Sequence, residues 1–217
     1  DKEFQKAGIK PILWYVSRAS INPFKELVSI VALIRILHFL KLDLLHSFMA
    51  KPNIYGNLAA WLVGVPTVSS VTGLGSLYVE NSPKVVFYRK LSELLLKVAL
   101  RTCKAIIFQN QESLQYYVTN GLVASEKSLV IRGSGIDLNK WIQASDPRNS
   151  VPVILMVSRL IAHKGVSEYL EAAQILNKKG VKAKFLLAGA SDPGNLYSIN
   201  ELEVKQDSVV EYLGYVE

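Results

Sequence analysis

The 217 residues predict an α/β protein of two parallel-sheet units joined by a linker. Three observations predict it. Short apolar runs alternate with segments of helical period up to residue 133. "SGIDLNKWIQASDPRNS" (134–150) then interrupts the rhythm with turn formers and charges, and after it the alternation restarts. Apolar strands interleaved with helices argue for parallel sheets covered on both faces. Half of the chain is hydrophobic, so a sizeable core can form.

In chain order, "KPILWYVS" (10–17), "LDLLHSF" (42–48), "PTVSSVT" (66–72), "KAIIFQN" (104–110) and "KSLVIRG" (127–133) read as strands. The intervening segments 22–40, 52–64, 82–102 and 111–121 read as helices. Pro23 and Pro83 suit first turns, and Gly64 and Gly121 suit C-terminal stops. Beyond the linker, "VPVILMVSR" (151–159), "AKFLLAGA" (183–190) and "VVEYLGYVE" (209–217) read as strands, and 166–179 as an amphipathic helix. The run "VILMVS" (153–158) has the unbroken apolar character of a buried strand.

Charge is unevenly spread. Residues 1–110 hold 14 Lys+Arg against 6 Asp+Glu, and residues 111–217 hold 11 against 12. The basic excess of the first half suits an anionic partner: a membrane leaflet, nucleic acid or polyphosphate. Cys103 stands alone, which rules out an intrachain disulfide and suits a reducing compartment. No secretory signal opens the chain. The greasiest run, 27–45, carries Arg35, His38, Lys41 and Asp43, and reads as a helix leading into a strand rather than a bilayer span. Three scattered histidines and one cysteine have no metal-binding spacing, so no metal is expected. A dinucleotide fingerprint and a P-loop are both missing, which weighs against nicotinamide and ATPase chemistry.

"SRLIAHKGVSEYLEAA" (158–173) sets Arg159, Lys164 and Gly165 at a strand-to-helix turn. Ligands of open parallel sheets sit beyond the carboxyl ends of strands, where free helix amides favour anions. Arginine grips two phosphate oxygens, lysine acts as a mobile point charge, and glycine lets backbone approach closely. From spacing alone two readings stand: a diphosphate grip, or a capping arginine beside a solvated lysine.

The segment "VSRLIAHKGVSEYLEAAQIL", with "FLLAGASDPGN" and "VEYLGYVE", resembles the donor domain of family 4 glycosyltransferases. The first half is similar to the same family's acceptor domain in "LLHSFMAKPNIYGNLAAWLVGVPTVSSVTGLGS", "AIIFQNQESLQYY" and "VIRGSGIDLNKW". "KPNIYG", "VTGLGS" and "SDPGN" look like bacterial enzymes that build O-antigen, capsule or lipid-linked oligosaccharide. The resemblance implies a GT-B-type α/β fold, two Rossmann-like domains with parallel sheets facing a cleft. It makes 1–133 the acceptor-side domain, 134–150 the linker and 151–217 the first part of the donor domain. The family's opening strand with its glycine-rich loop and its late Glu-x7-Glu element have no match here, so the chain is expected to be the middle of a longer enzyme. The implied activity is retaining transfer of a hexose or N-acetylhexosamine from a nucleotide sugar, read as a UDP-sugar, to a glycan or polyprenyl-diphosphate-linked acceptor. No cofactor or metal is implied. The alternative is a non-catalytic nucleotide-sugar-binding or scaffold protein of the same fold.

By this resemblance Arg159 and Lys164 hold the donor diphosphate and carry catalysis, with Gly165 and Gly189 beside them and Gly214 and Tyr215 near the nucleobase. On the acceptor side the candidates are His46, Lys51, Gly73, Gly75, Ser134 and Gly135. His46 is either a group that meets an acceptor hydroxyl or a structural histidine bonded to neighbouring backbone, since the second member of the family's His-x-His pair is Phe48 here. Lys51 faces either an acceptor phosphate or solvent. The turn "VTGLGS" (71–76) either brings amides to a substrate or is a plain tight turn.

Within 82–104, Lys90, Lys97, Arg101 and Lys104 fall on one helical face, while Phe87, Leu91, Leu94, Leu95 and Val98 cover another. The basic face suits either an anionic leaflet or a solvated outer surface. Aromatics do not alternate with these cations, so no nucleic-acid partner is expected. The expected location is the cytoplasm, with the inner face of the cytoplasmic membrane as a docking surface.

Overall fold

A computed structural model describes residues 2–17, 22–78, 80–142, 151–195 and 197–216. The chain divides into two compact units, Asp1–Leu138 and Asn139–Glu217. The division falls inside the stretch 134–150, of which 143–150 lie outside the described residues.

The first unit runs α1 (Lys2–Lys6), α2 (Pro23–Leu40), β1 (Leu45–Phe48), α3 (Ala50–Val63), β2 (Thr67–Val71), α4 (Pro83–Arg101), β3 (Ala105–Phe108), α5 (Gln111–Thr119) and β4 (Ser128–Val130). Its four strands are parallel and lie in sequence order. Local chemistry sets the helix ends. The Asn22 side chain accepts from the Phe24 and Lys25 amides at the start of α2, a cap that contributes about 1 kcal/mol. Gly64, with φ 76°, ends α3 in the left-handed conformation.

Parallel register places Leu45 and Ser47 beside Thr67 and Ser69, and Ser69 and Val71 beside Ile106 and Phe108. These side chains share one sheet face. The core packed there includes Ile54, Ala59 and Ala60 of α3 and Leu96, Ala99 and Leu100 of α4. A polar seam crosses it, with Ser47 donating to Asn53 (2.7 Å), Asn57 donating to Ser69 (2.8 Å) and the buried Cys103 thiol donating to Asn57 Oδ1 (3.1 Å). Each group finds a partner, which is what lets these residues stay buried.

The second unit runs β5 (Val153–Val157), α6 (Val166–Lys178), β6 (Lys184–Ala188), α7 (Glu201–Lys205) and β7 (Val210–Gly214), with the strands parallel in the order β5-β6-β7. Its core gathers Val166, Ala173, Phe185, Leu187, Val204 and Val210 around Leu160.

Two expectations are corrected. Residues 10–17 pair with no strand. They run extended along α2, where Trp14 Nε1 donates to the Ser29 carbonyl (2.9 Å) and Ser29 Oγ donates to that of Tyr15 (2.7 Å). The run Val153–Val157 is a strand but not a buried one, and Val157 is 73% exposed. It sits at a sheet edge, while the unit's core forms from its other elements. On α4 the stripe Phe87, Leu91, Leu94, Leu95 and Val98 is exposed, and the buried side is Glu93, Leu96, Ala99 and Leu100. Hydrogen bonds from Tyr78 and Tyr116 let the Glu93 carboxylate stay buried there.

Candidate functional site

The residues expected to hold a donor lie at the carboxyl ends of the second unit's strands. After β5 the chain passes through Ser158 and Arg159, then a 3-10 turn (Ala162–Lys164), and enters α6 at Gly165. Gly165 has φ 79°, with no heavy atom within 4 Å of where a Cβ would sit, and no side chain caps the helix. The first-turn amides of α6 therefore lack a side-chain acceptor, and the helix dipole adds positive potential there. Lys164 is exposed at this entrance.

Arg159 is anchored by Asp192, its Nη1 lying 2.8 Å from the carboxylate. The guanidinium side chain remains 54% exposed, and a single carboxylate oxygen leaves other donors of its fork for further acceptors. Asp192 is itself held, its amide donating to Ser198 Oγ (3.0 Å) and its carbonyl accepting from Asn195 (2.8 Å).

Gly189 does more than line this corner. Its φ is 146°, and a Cβ there would fall on the Ser158 carbonyl. Bare backbone lets Ser158 donate to Ala188 (3.0 Å) and Gly189 donate to Gly214 (2.7 Å), drawing three strand ends together. Tyr212 Oη also donates to the Gly189 carbonyl (2.7 Å). Gly214, with φ 72°, turns the chain away from β7, and Tyr215 beyond it is 75% exposed.

Sequence reasoning missed two members of this corner. Asp192 had a signal, a carboxylate in a turn-forming "SDPGN" right after a strand. His163 lies between Arg159 and Lys164, meets Tyr197 edge-on at 5.9 Å and keeps a buried Nδ1 without a protein partner. Nothing in its spacing marked it.

On the first unit, His46 Nε2 lies 2.9 Å from Ser70 Oγ, and its ring sits 4.3 Å from that of Phe48. Its partner is a side chain, not the backbone expected of a structural histidine. Lys51 is held by protein groups, its Nζ lying 2.8 Å from Glu26 Oε1 and donating to the Ser17 carbonyl at 2.8 Å. Its attraction to Glu26, itself hydrogen-bonded by Tyr55 (2.6 Å), holds it there. Gly73 (φ 153°) and Gly75 (φ 81°) shape the turn at the carboxyl end of β2, with open space beside both. Ser134 and Gly135 are exposed in irregular chain after β4.

The basic face is corrected in membership. Lys104 lies past the end of α4, its amide donating to Thr67 (2.9 Å), so the helix does not carry it. Lys97 is half-buried, and Lys90 pairs with Glu93 at 3.2 Å while staying 68% exposed. Arg101 is exposed in the last turn. Among the described residues no three His, Cys, Asp or Glu side chains group as a metal site, and no helix is long and apolar enough to cross a membrane.

Residues 1–110 match a family model described as glycosyl transferase 4-like. The chain is 32% identical to an N,N'-diacetylbacillosaminyl-diphospho-undecaprenol α-1,3-N-acetylgalactosaminyltransferase of Campylobacter jejuni, over 98% of the chain and 58% of that protein. It is 27% identical to the capsular polysaccharide biosynthesis glycosyltransferase CapM of Staphylococcus aureus, over 85% of the chain and 50% of that protein. Among solved structures it resembles HepE of Anabaena in complex with UDP-glucose, with TM-score 0.69 and 19% identity over the whole chain and 58% of that one. A sucrose-phosphate synthase of Thermosynechococcus elongatus superposes with TM-score 0.70 and 20% identity, over 94% of the chain and 52% of its own length. The chain thus spans little more than half the length of these relatives.

Proposed function

The chain belongs to the glycosyl transferase 4-like family, with the GT-B type of α/β fold, and on that premise we propose that its protein is a retaining glycosyltransferase. The donor is a UDP-linked hexose or N-acetylhexosamine. The acceptor is a glycan or a polyprenyl-diphosphate-linked sugar of bacterial surface polysaccharide synthesis, a reading supported by the diphospho-undecaprenol-linked sugar in the Campylobacter relative's name and the capsular polysaccharide in the Staphylococcus relative's.

One observation carries the reading. Arg159 and Lys164 flank the uncapped entrance to α6 at the carboxyl end of a parallel strand. Departure of the nucleotide diphosphate builds negative charge on its phosphates. Fixed amides and cations that hold this charge more tightly as it grows lower the barrier rather than merely binding substrate. Arg159, oriented by Asp192, supplies a planar donor fork, and Lys164 supplies a mobile charge. Gly189 keeps the three strand ends close, so the corner is rigid before the nucleotide arrives.

Docking of α4 on an anionic leaflet completes the reading. Lys90 and Arg101 flank an exposed apolar stripe, and the one acid of the helix, Glu93, points inward. Such a face inserts its apolar residues at the headgroup boundary while its cations meet lipid phosphate.

The test is calorimetry with UDP and UDP-sugars, together with a sugar-transfer assay, on the intact protein and its Lys164→Ala variant. Binding with turnover in the wild type is expected, with turnover lowered on the order of a hundredfold in the variant. Binding without turnover selects a nucleotide-sugar-binding scaffold instead. An unchanged rate in the variant removes Lys164 from the mechanism.

A further inference from the structure

The glycine turn after β2 has a holder outside the donor corner. Gly73 and Gly75 adopt φ values that other residues avoid, and a turn built on them gains freedom that something must remove. Two residues of α4, one helical turn apart, remove it. Arg89 donates through Nε to the Leu77 carbonyl (2.8 Å) and through Nη2 to the Glu80 carbonyl (2.6 Å) and Asn81 Oδ1 (3.0 Å). Its guanidinium also sits 5.2 Å from the centre of the Tyr78 ring. Glu93 accepts from Tyr78 Oη (3.3 Å) and Tyr116 Oη (2.6 Å), and its other oxygen is 3.2 Å from Lys90 Nζ. Tyr78 and Tyr116 meet edge-on at 5.2 Å.

Stability alone does not call for this arrangement. Well-packed apolar groups usually do as well as a buried, paired carboxylate, and Glu93 is only 5% exposed. What the ionic groups add is direction: a planar fork fixes three acceptors of one segment at once, and the carboxylate fixes the Tyr78 hydroxyl. The segment so fixed leaves the carboxyl end of β2, the edge where parallel sheets meet their ligands. Ser70 and Phe48 pair at that end of the sheet, and Ser70 is hydrogen-bonded to His46.

We propose that Arg89 and Glu93 are positioning residues that hold the turn 72–78 in the shape with which it receives the acceptor. This rests on the glycosyltransferase reading and names a determinant of acceptor affinity within it. Neither residue touches substrate; each acts through the turn.

Arg89→Lys, Glu93→Gln and Tyr78→Phe in the intact protein test it by steady-state kinetics with both substrates varied, and by amide exchange over 72–82. In Arg89→Lys and Glu93→Gln the acceptor KM should rise about tenfold while the nucleotide-sugar KM stays within about twofold, the split expected when one substrate's positioning is lost. Amides of the turn should exchange faster, and those of β3 should not. Tyr78→Phe should move the same quantities less. Should Glu93→Gln fail to fold, Arg89→Lys, which keeps the charge but loses the fork, reads the same effect. An unchanged acceptor KM, a parallel rise in both KM values, or an unchanged turn in exchange overturns the proposal. A wild-type protein that transfers no sugar would instead remove the glycosyltransferase reading and the proposal with it.

Discussion

Replacing Gly189 with alanine should unfold the second unit preferentially, by an amount the geometry sets. The backbone there has φ 146°, a region that costs a residue with a side chain about 1–3 kcal/mol. The new Cβ would also fall on the Ser158 carbonyl, so strand ends must part, and overpacking of this kind costs about 1–3 kcal/mol more. Parting strains the bonds from Ser158 to Ala188 and from Gly189 to Gly214, each contributing about 1 kcal/mol. The expected loss is about 3–5 kcal/mol. A unit the size of Asn139–Glu217 has about 4–12 kcal/mol of stability in total. Gly165→Ala is the control, because its φ of 79° is also left-handed but the space beside it is open, and it should cost only about 1–2 kcal/mol. Urea titration read by amide exchange in β6 reports the second unit by itself. If Gly189→Ala cost no more than Gly165→Ala, the close approach of β6 to the Ser158 turn would not be what demands glycine.

Asp192→Asn should cost about 1 kcal/mol of stability by thermal melting, since Arg159 is half-exposed while Asp192 is only 15% exposed. The same change should weaken UDP binding several-fold by calorimetry, because the guanidinium loses the carboxylate that orients it. For Glu93, burial raises the carboxyl, but hydrogen bonds from Tyr116 and Lys90, the Lys90 charge and the Tyr78 bond outweigh it and hold the group below its ordinary value of 4.5. A lowered folded value stabilises the protein above the unfolded value, and that stability is lost as pH falls through the folded one. Wild type should therefore lose more stability than Glu93→Gln between about pH 5 and pH 3, measured by urea titration at each pH. The intact protein should co-sediment with anionic liposomes at low salt and be released at high salt. Leu91→Ser with Leu94→Ser should weaken this binding without affecting the salt dependence, and indifference to lipid charge would remove the leaflet from the account.

Much of the architecture was legible in residue order. Pro23 behind Asn22, the glycine stop at residue 64 and the apolar runs 45–48, 67–71 and 184–188 are local signals, because caps and strand propensity depend on neighbours in the chain. The cations and glycine at 159–165 were visible for the same reason, since a strand-to-helix turn is contiguous. By itself the sequence determined the alternation of elements, the split into two units and the place of Arg159, Lys164 and Gly165 at a strand-to-helix turn. Only the tertiary structure decided which face of α4 is buried, because Tyr78 ahead of the helix and Tyr116 of α5 donate to Glu93 and let a carboxylate be the inward residue. It alone brought Glu26 of α2 to Lys51 of α3, and it alone gave Arg159 its carboxylate from a loop beyond the next strand. Pairings between distant segments leave no periodic trace in the chain, so they become readable only when the fold brings their atoms within hydrogen-bonding distance.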